Sequence, residues 1–561
     1  MRLHIVKCII CLASIKCISA AGPFFLQLNT TEHVIGNDLL NITIGPTYAT
    51  KLFYKNKDLI VNAQGHYLSY RSFLNWTSAR IYSQTDDSLD VVFEAPEGDF
   101  HWVIYHDLAG AYQYFVNKAL PVLGEFRSLV RLDNTTFFNG NTTSKEGPLP
   151  TLAEIASGTK VQDETWQLPN GTYISEYDWA DFIRDQEYYG VYGNEFGSWY
   201  IYPGKDEYNG DHLKQELLVH RKSRTGDVVL LNVLHRTYFM ASSNDCFEVG
   251  KTWGPWLWYL NNGSTEDASN RAKQENQNWP YTLFNSSAYQ SRGSVFGTLN
   301  IPDGRVAANA AVFLGDNNPN ETTLDMGRFN YYTTYADSTG YFRFDNMRTG
   351  VYAIQAWSNG PPIGDLSATY LQNNIQVNRN ESTDLSSQDF VTSARTVVRK
   401  IGDFDRKALG FRYGGAPREH ALVEKCPANL TFVVGVSKVE NRYSAQSSVG
   451  SWTVSFNLTA SEVPKNSSAV LSVSLAGYSG GTSDVSVNER VVGMLGGSSI
   501  LADPSLYRSA TTAGEWHYFE FGVGDGTLQA GKNEATFKVM KSSRLGGFMW
   551  DALMLEWSGY P

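Results

Sequence analysis

Near its C-terminal end the chain alternates apolar and polar residues: Trp452, Val454, Phe456 and Leu458 are apolar, while Thr453, Ser455, Asn457 and Thr459 between them are polar. Successive side chains of a strand point to opposite faces, so such a run buries one face and wets the other only as β-structure. Ala469, Leu471, Val473 and Leu475 repeat the pattern, and Phe537/Val539 and Leu553/Leu555 complete it. Residues 389–561 are therefore expected to form a β jelly roll with one solvated face.

The same period runs upstream. In 291–388, Phe342/Phe344 and Tyr352/Ile354/Ala356 alternate about a turn at Asn346–Gly350, predicting a small β-sandwich. In 22–290, short runs such as Phe100–Tyr105 and Ala111–Val116 are separated by Gly, Asn and Asp, as in a large antiparallel sandwich. Helical periodicity is scarce, and Thr265–Asn278 is the segment that best reads as a helix. Aromatic residues make up 13% of the chain and charged residues only 18%, which excludes a disordered protein and places the chain in the all-β class.

Arg2 and Lys7, the apolar run Cys8–Ile15 and the small residues Ser19, Ala20 and Ala21 predict a secretory signal over residues 1–21. Thirteen N-x-S/T sequons, at Asn29, Asn41, Asn75, Asn134, Asn141, Asn170, Asn262, Asn285, Asn320, Asn380, Asn429, Asn457 and Asn466, fit a secreted, extracellular glycoprotein and are expected to mark exposed surface. Loss of the leader takes away Arg2, Lys7 and Lys16, moving the formal charge from −11 to −14. Such a surface repels nucleic acid and anionic membrane, and no run is long enough to span a bilayer. Cys246 and Cys426 are then the remaining cysteines, a pair left open and no disulfide framework.

Gly477–Gly481 has the G-x-S-x-G form, but the sequence after it reads as a strand rather than a helix, so Ser479 is expected in a hairpin turn and not at a nucleophile elbow. Zincin, EF-hand and Walker motifs do not occur. Acids are plentiful enough for calcium, yet no loop specifies it, and no cofactor or metal ligand is assigned. Two segments carry cations at useful spacing. Arg127 and Arg131 are four apart and share a face in a strand or a helix, where guanidiniums can hold a carboxylate or simply pair with nearby acids. Read as one strand, 214–220 puts Lys214, Glu216, Leu218 and His220 on one face, where an imidazole beside charged neighbours can be tuned for proton transfer.

At these residues the sequence resembles the rhamnogalacturonan lyases of polysaccharide lyase family four. The matching stretches are Val161–Trp166, Tyr177–Trp179, Gly197–Tyr200, Leu213–Glu216 with His220, Gly254–Asn261, Trp279–Tyr281 and Trp550–Trp557. The resemblance implies a galactose-mutarotase-like supersandwich, a fibronectin-III-like domain and a carbohydrate-binding-like jelly roll. It implies cleavage of the rhamnose-to-galacturonate α-1,4 bond of rhamnogalacturonan I, in pectin, by β-elimination. Arg127 and Arg131 would neutralise the uronate carboxylate, and His220 aligns with the catalytic histidine. The family's catalytic lysine stands immediately before the tyrosine matched by Tyr177, where this chain has Glu176. The base would then be Glu176, Lys214 or His220. The charge reversal keeps open a non-catalytic pectin-binding glycoprotein on the same fold. Asp163, Glu164, Asp178 and Asp181 keep open a two-carboxylate hydrolase. A mutarotase-like enzyme rests on fold analogy alone. The expected partner is the polysaccharide, the expected state a monomer, and Trp199, Tyr200, Trp256 and Trp258 are candidates for stacking on sugars.

Overall fold

The computed structural model describes residues 22–558 except 71, 122–124, 209–211, 236–237, 240–245, 319–327, 417, 466 and 544. The expected leader and the sequons Asn320 and Asn466 lie outside the described residues.

Two large sheets, of ten and nine strands among the described residues, build the first domain. In the strand Phe126–Leu132 of the ten-stranded sheet, Phe126, Ser128, Val130 and Leu132 are fully buried, while Arg127 and Arg131 lie half-buried on the opposite face. The inner face packs ring against ring on the second sheet. Phe126 lies 5.1 Å from Trp253 and 4.9 Å from Phe115, and His66 lies 4.9 Å from Trp102. Aromatic faces of this size bury much apolar area at little rotamer cost, which fixes the sandwich and leaves the outer face of the ten-stranded sheet for chemistry. The helix Thr265–Asn278 closes the domain, with the Ser264 side chain accepting from the Asp267 N–H at its start.

The middle domain, from the strand Arg292–Asn300 to the strand Ser382–Asp389, is, among the described residues, a three-stranded sheet against a four-stranded one. Its core includes Val295, Val312, Phe342, Phe344, Tyr352 and Ile354. The strands Tyr341–Arg348 and Gly350–Trp357 belong to different sheets, so the turn between them crosses the sandwich. The C-terminal domain packs, among the described residues, two five-stranded sheets. Asn457 is exposed while Trp452, Val454, Phe456 and Leu458 are buried, as the alternation requires. Ser479 follows the strand Ala469–Tyr478 of one sheet and precedes Thr482–Val487 of the other. It therefore sits in a turn between sheets, not in a hairpin.

Other expectations are corrected. Trp199, Tyr200, Trp256 and Trp258 are at most 2% exposed and belong to the core, so none of the four is free to stack on a sugar. Asn141 is buried by the strands on either side of it, so that sequon is not surface. Cys246 is exposed, Cys426 buried, and both are free thiols. Among the described residues no helix is long and apolar enough to cross a membrane, and no three His, Cys, Asp or Glu gather to hold a metal ion.

Candidate active site

The outer face of the ten-stranded sheet aligns charged residues through strand register. Arg131 is opposite Val229, and Val229 is opposite His220, so the three form one lateral row across the strands Phe126–Leu132, Val228–His235 and Val219–Arg221. Laterally opposed residues point the same way, and two interstrand steps set Arg131 and His220 about 10 Å apart at the backbone. Ser69, Arg127 and Val233 form a parallel row on the same face.

Both guanidiniums are held in place. Arg131 donates from Nε and Nη2 to the Tyr67 hydroxyl at 3.0 and 2.8 Å, and its Nη1 is 3.8 Å from Asp227. Arg127 donates from Nε to Ser69 Oγ at 3.1 Å and from Nη1 to the Tyr238 hydroxyl at 2.8 Å, and its Nη2 is 2.9 Å from Glu125. Each is thus positioned by a tyrosine and partly balanced by a carboxylate, and each side chain stays partly exposed, 27% at Arg127 and 18% at Arg131.

Glu176 arrives from a separate layer. It opens the 3-10 turn Glu176–Trp179, which packs on the histidine strand. Ser175 caps that turn, its side chain accepting from the Tyr177 N–H while its own N–H donates to Asp178. The Glu176 N–H donates to Glu164 O at 3.1 Å. Glu176 Oε2 lies 3.1 Å from His220 Nδ1 and 3.8 Å from Lys222 Nζ. Oε2 and Nδ1 are both buried and, despite their approach, not aligned as a hydrogen bond. Exposure grades outward across this cluster, from 2% at His220 through 10% at Glu176 to 32% at Lys222.

Burial raises the Glu176 carboxyl to about 7, the Lys222 charge only partly opposing it. Burial, followed by the charge of Lys222 and then of Arg131 and Arg127, holds His220 well below the ordinary imidazole range, so it is neutral. The cluster thus carries one carboxyl that gains or loses its proton near neutrality, among fixed positive charges.

The expected single face from Lys214 to His220 does not form. Gln215–Leu217 pairs with Ala180–Phe182, whereas Val219–Arg221 pairs with Val228–His235, and at the break the Leu218 N–H donates to Trp179 O at 3.3 Å. Lys214, 3% exposed, is buried where its charge bears on His235, and Glu216 accepts from the Tyr238 N–H. Lys222, Tyr67, Tyr238 and Arg508 are the additions that sequence reasoning missed. Strand alternation past His220 carries the signal for Lys222. Nothing local points to Arg508, which reaches in from the C-terminal domain: it donates to Tyr238 O at 2.9 Å, stacks 4.7 Å from the Tyr177 ring and approaches Asp163 at 3.7 Å. Asp163 in turn accepts from the Tyr177 hydroxyl at 2.6 Å.

Residues 302–385 match domain II of polysaccharide lyase family 4, and residues 397–555 match its CBM-like domain III. Over 581 aligned residues the chain is 30% identical to the rhamnogalacturonate lyase of Dickeya dadantii, covering 96% of this chain and 95% of that one. It is 22% identical to a probable rhamnogalacturonate lyase B of Aspergillus niger, over 80% of this chain and 76% of that one. Two matched domains in the family's order and a relative aligned along nearly its whole length establish that this chain belongs to polysaccharide lyase family 4.

Proposed function

We propose that the protein is a secreted lyase that cleaves the α-1,4 bond between rhamnose and galacturonate in the rhamnogalacturonan I backbone of pectin, by β-elimination. The C5 proton of a uronate is weakly acidic, so the reaction needs the carboxylate neutralised and a base at C5. Arg127 and Arg131, both partly exposed on this face, neutralise the carboxylate. Glu176, once ionised, is the base. His220 is too deeply buried to touch a sugar and acts through Glu176, its neutral ring packed 3.1 Å from the carboxylate. Lys214 is given no role. Secretion is supported by the basic and apolar opening of the chain and by its sequons.

The observation that carries this reading is the lateral row that holds Arg131 and His220 on one face, two strands apart, with Glu176 in contact with His220. Incubation with rhamnogalacturonan I is expected to raise the ultraviolet absorbance of a conjugated double bond while the polymer shortens. New reducing ends without absorbance point to a hydrolase, and binding without shortening to a pectin-binding protein. Either result overturns the proposal.

A further inference from the structure

Elimination also needs a proton for the departing oxygen. We propose that Lys222 supplies it, its ammonium donating to the oxygen at C4 while Glu176 receives the proton from C5; this rests on the lyase reading above. Lys222 stands two residues beyond His220, so alternation turns it to the same face. Its backbone is fixed: its N–H donates to Asp227 O at 2.9 Å and its carbonyl accepts from the Gly226 N–H at 2.8 Å. The Asp227 of that turn is the carboxylate beside Arg131. The side chain returns over the site until Nζ is 3.8 Å from Glu176.

The other candidate donors fail on chemistry or access. Arg127, Arg131 and Arg508 carry guanidiniums, which do not release protons in proteins. His220 is buried and neutral. Tyr67 and Tyr238 are 3% and 6% exposed beneath the arginines they hold. Lys160 is drawn aside to Glu164 at 3.6 Å. Lys222 combines an open position with a transferable proton, and its approach to Glu176 lets the two groups exchange a proton between turnovers.

The step balances. The C5–H bond breaks to Glu176, its electron pair forms the C4–C5 double bond, and the C4–O pair leaves with the oxygen, which takes a proton from Nζ. Glu176 is left protonated beside a neutral amine. A carboxylic acid is a stronger acid than an alkylammonium, so the proton then passes from Glu176 to Lys222 and restores both groups.

The test is steady-state kinetics of unsaturated-product formation on rhamnogalacturonan I for Lys222→Ala and Lys222→Arg, with melting curves to verify folding and Lys222→Met as a second truncation. Lys222→Ala is expected to lower kcat by about 10²–10⁴-fold with little change in KM. Lys222→Arg, which keeps the charge but not the transferable proton, is expected to be as slow. Added methylamine is expected to restore rate to Lys222→Ala and not to Lys222→Arg. Wild-type kcat in the arginine variant, or in both truncations, overturns the assignment and leaves the lyase reading standing. A wild-type protein that forms no unsaturated product overturns both.

Discussion

Two buried carboxylates of this molecule lie in opposite electrostatic settings. Asp206, at the joint between the first and middle domains, is 2.8 Å from Arg348 Nε and 3.2 Å from Arg292 Nη1. Arg348 also donates to Gly254 O at 3.1 Å, and both guanidiniums stack on Tyr289. Burial pushes the Asp206 carboxyl up, but Arg348 and Arg292 outweigh it and hold the group below the usual range. Glu176 is nearly as enclosed but meets a single lysine at 3.8 Å and an unaligned imidazole, and burial wins. Two close guanidiniums make a permanent anion that joins domains. One loosely held partner makes a carboxyl that exchanges its proton near neutral pH.

The largest expected effect breaks the joint. Asp206→Ala leaves two guanidiniums buried without a counter-charge and is expected to cost about 3–5 kcal/mol in urea unfolding. A loss no larger than that of a surface substitution contradicts the structural role. Glu176→Gln is expected to do the reverse, and only above acid pH. Because the folded-state value of Glu176 is raised, its contribution to stability is fully present below the unfolded value of 4.5 and is lost as pH rises through about 7. The glutamine variant therefore gains on wild type across that window, by ~1–3 kcal/mol at its upper end. Unfolding measured at pH values spanning the window checks the sign, and a variant that loses ground as pH rises contradicts it.

The strands were legible because a period of two is local, as at Trp452–Leu458, and the helix was legible from Thr265 to Asn278. Which sheet a strand joins is not local. The turn at Ser479 reads as a hairpin yet carries the chain between sheets, as the turn at Thr349 also does. In the site, the spacing of Arg127 and Arg131 survives because one unbroken strand carries both. Lys214 was misplaced because the run from 214 to 220 breaks at Leu218, where the backbone turns its hydrogen bonds to Trp179 and Leu231. Arg508 was illegible because only the docking of the C-terminal domain brings it to Tyr177 and Tyr238.

The most direct test of the proton-exchanging carboxyl is the pH dependence of kcat/KM for double-bond formation on rhamnogalacturonan I, measured for wild type and Glu176→Gln. The wild-type value is expected to rise with pH through about 7 as Glu176 ionises, and the glutamine variant to be slow and flat over the same range. The same rise in both proteins would show that Glu176 is not the base.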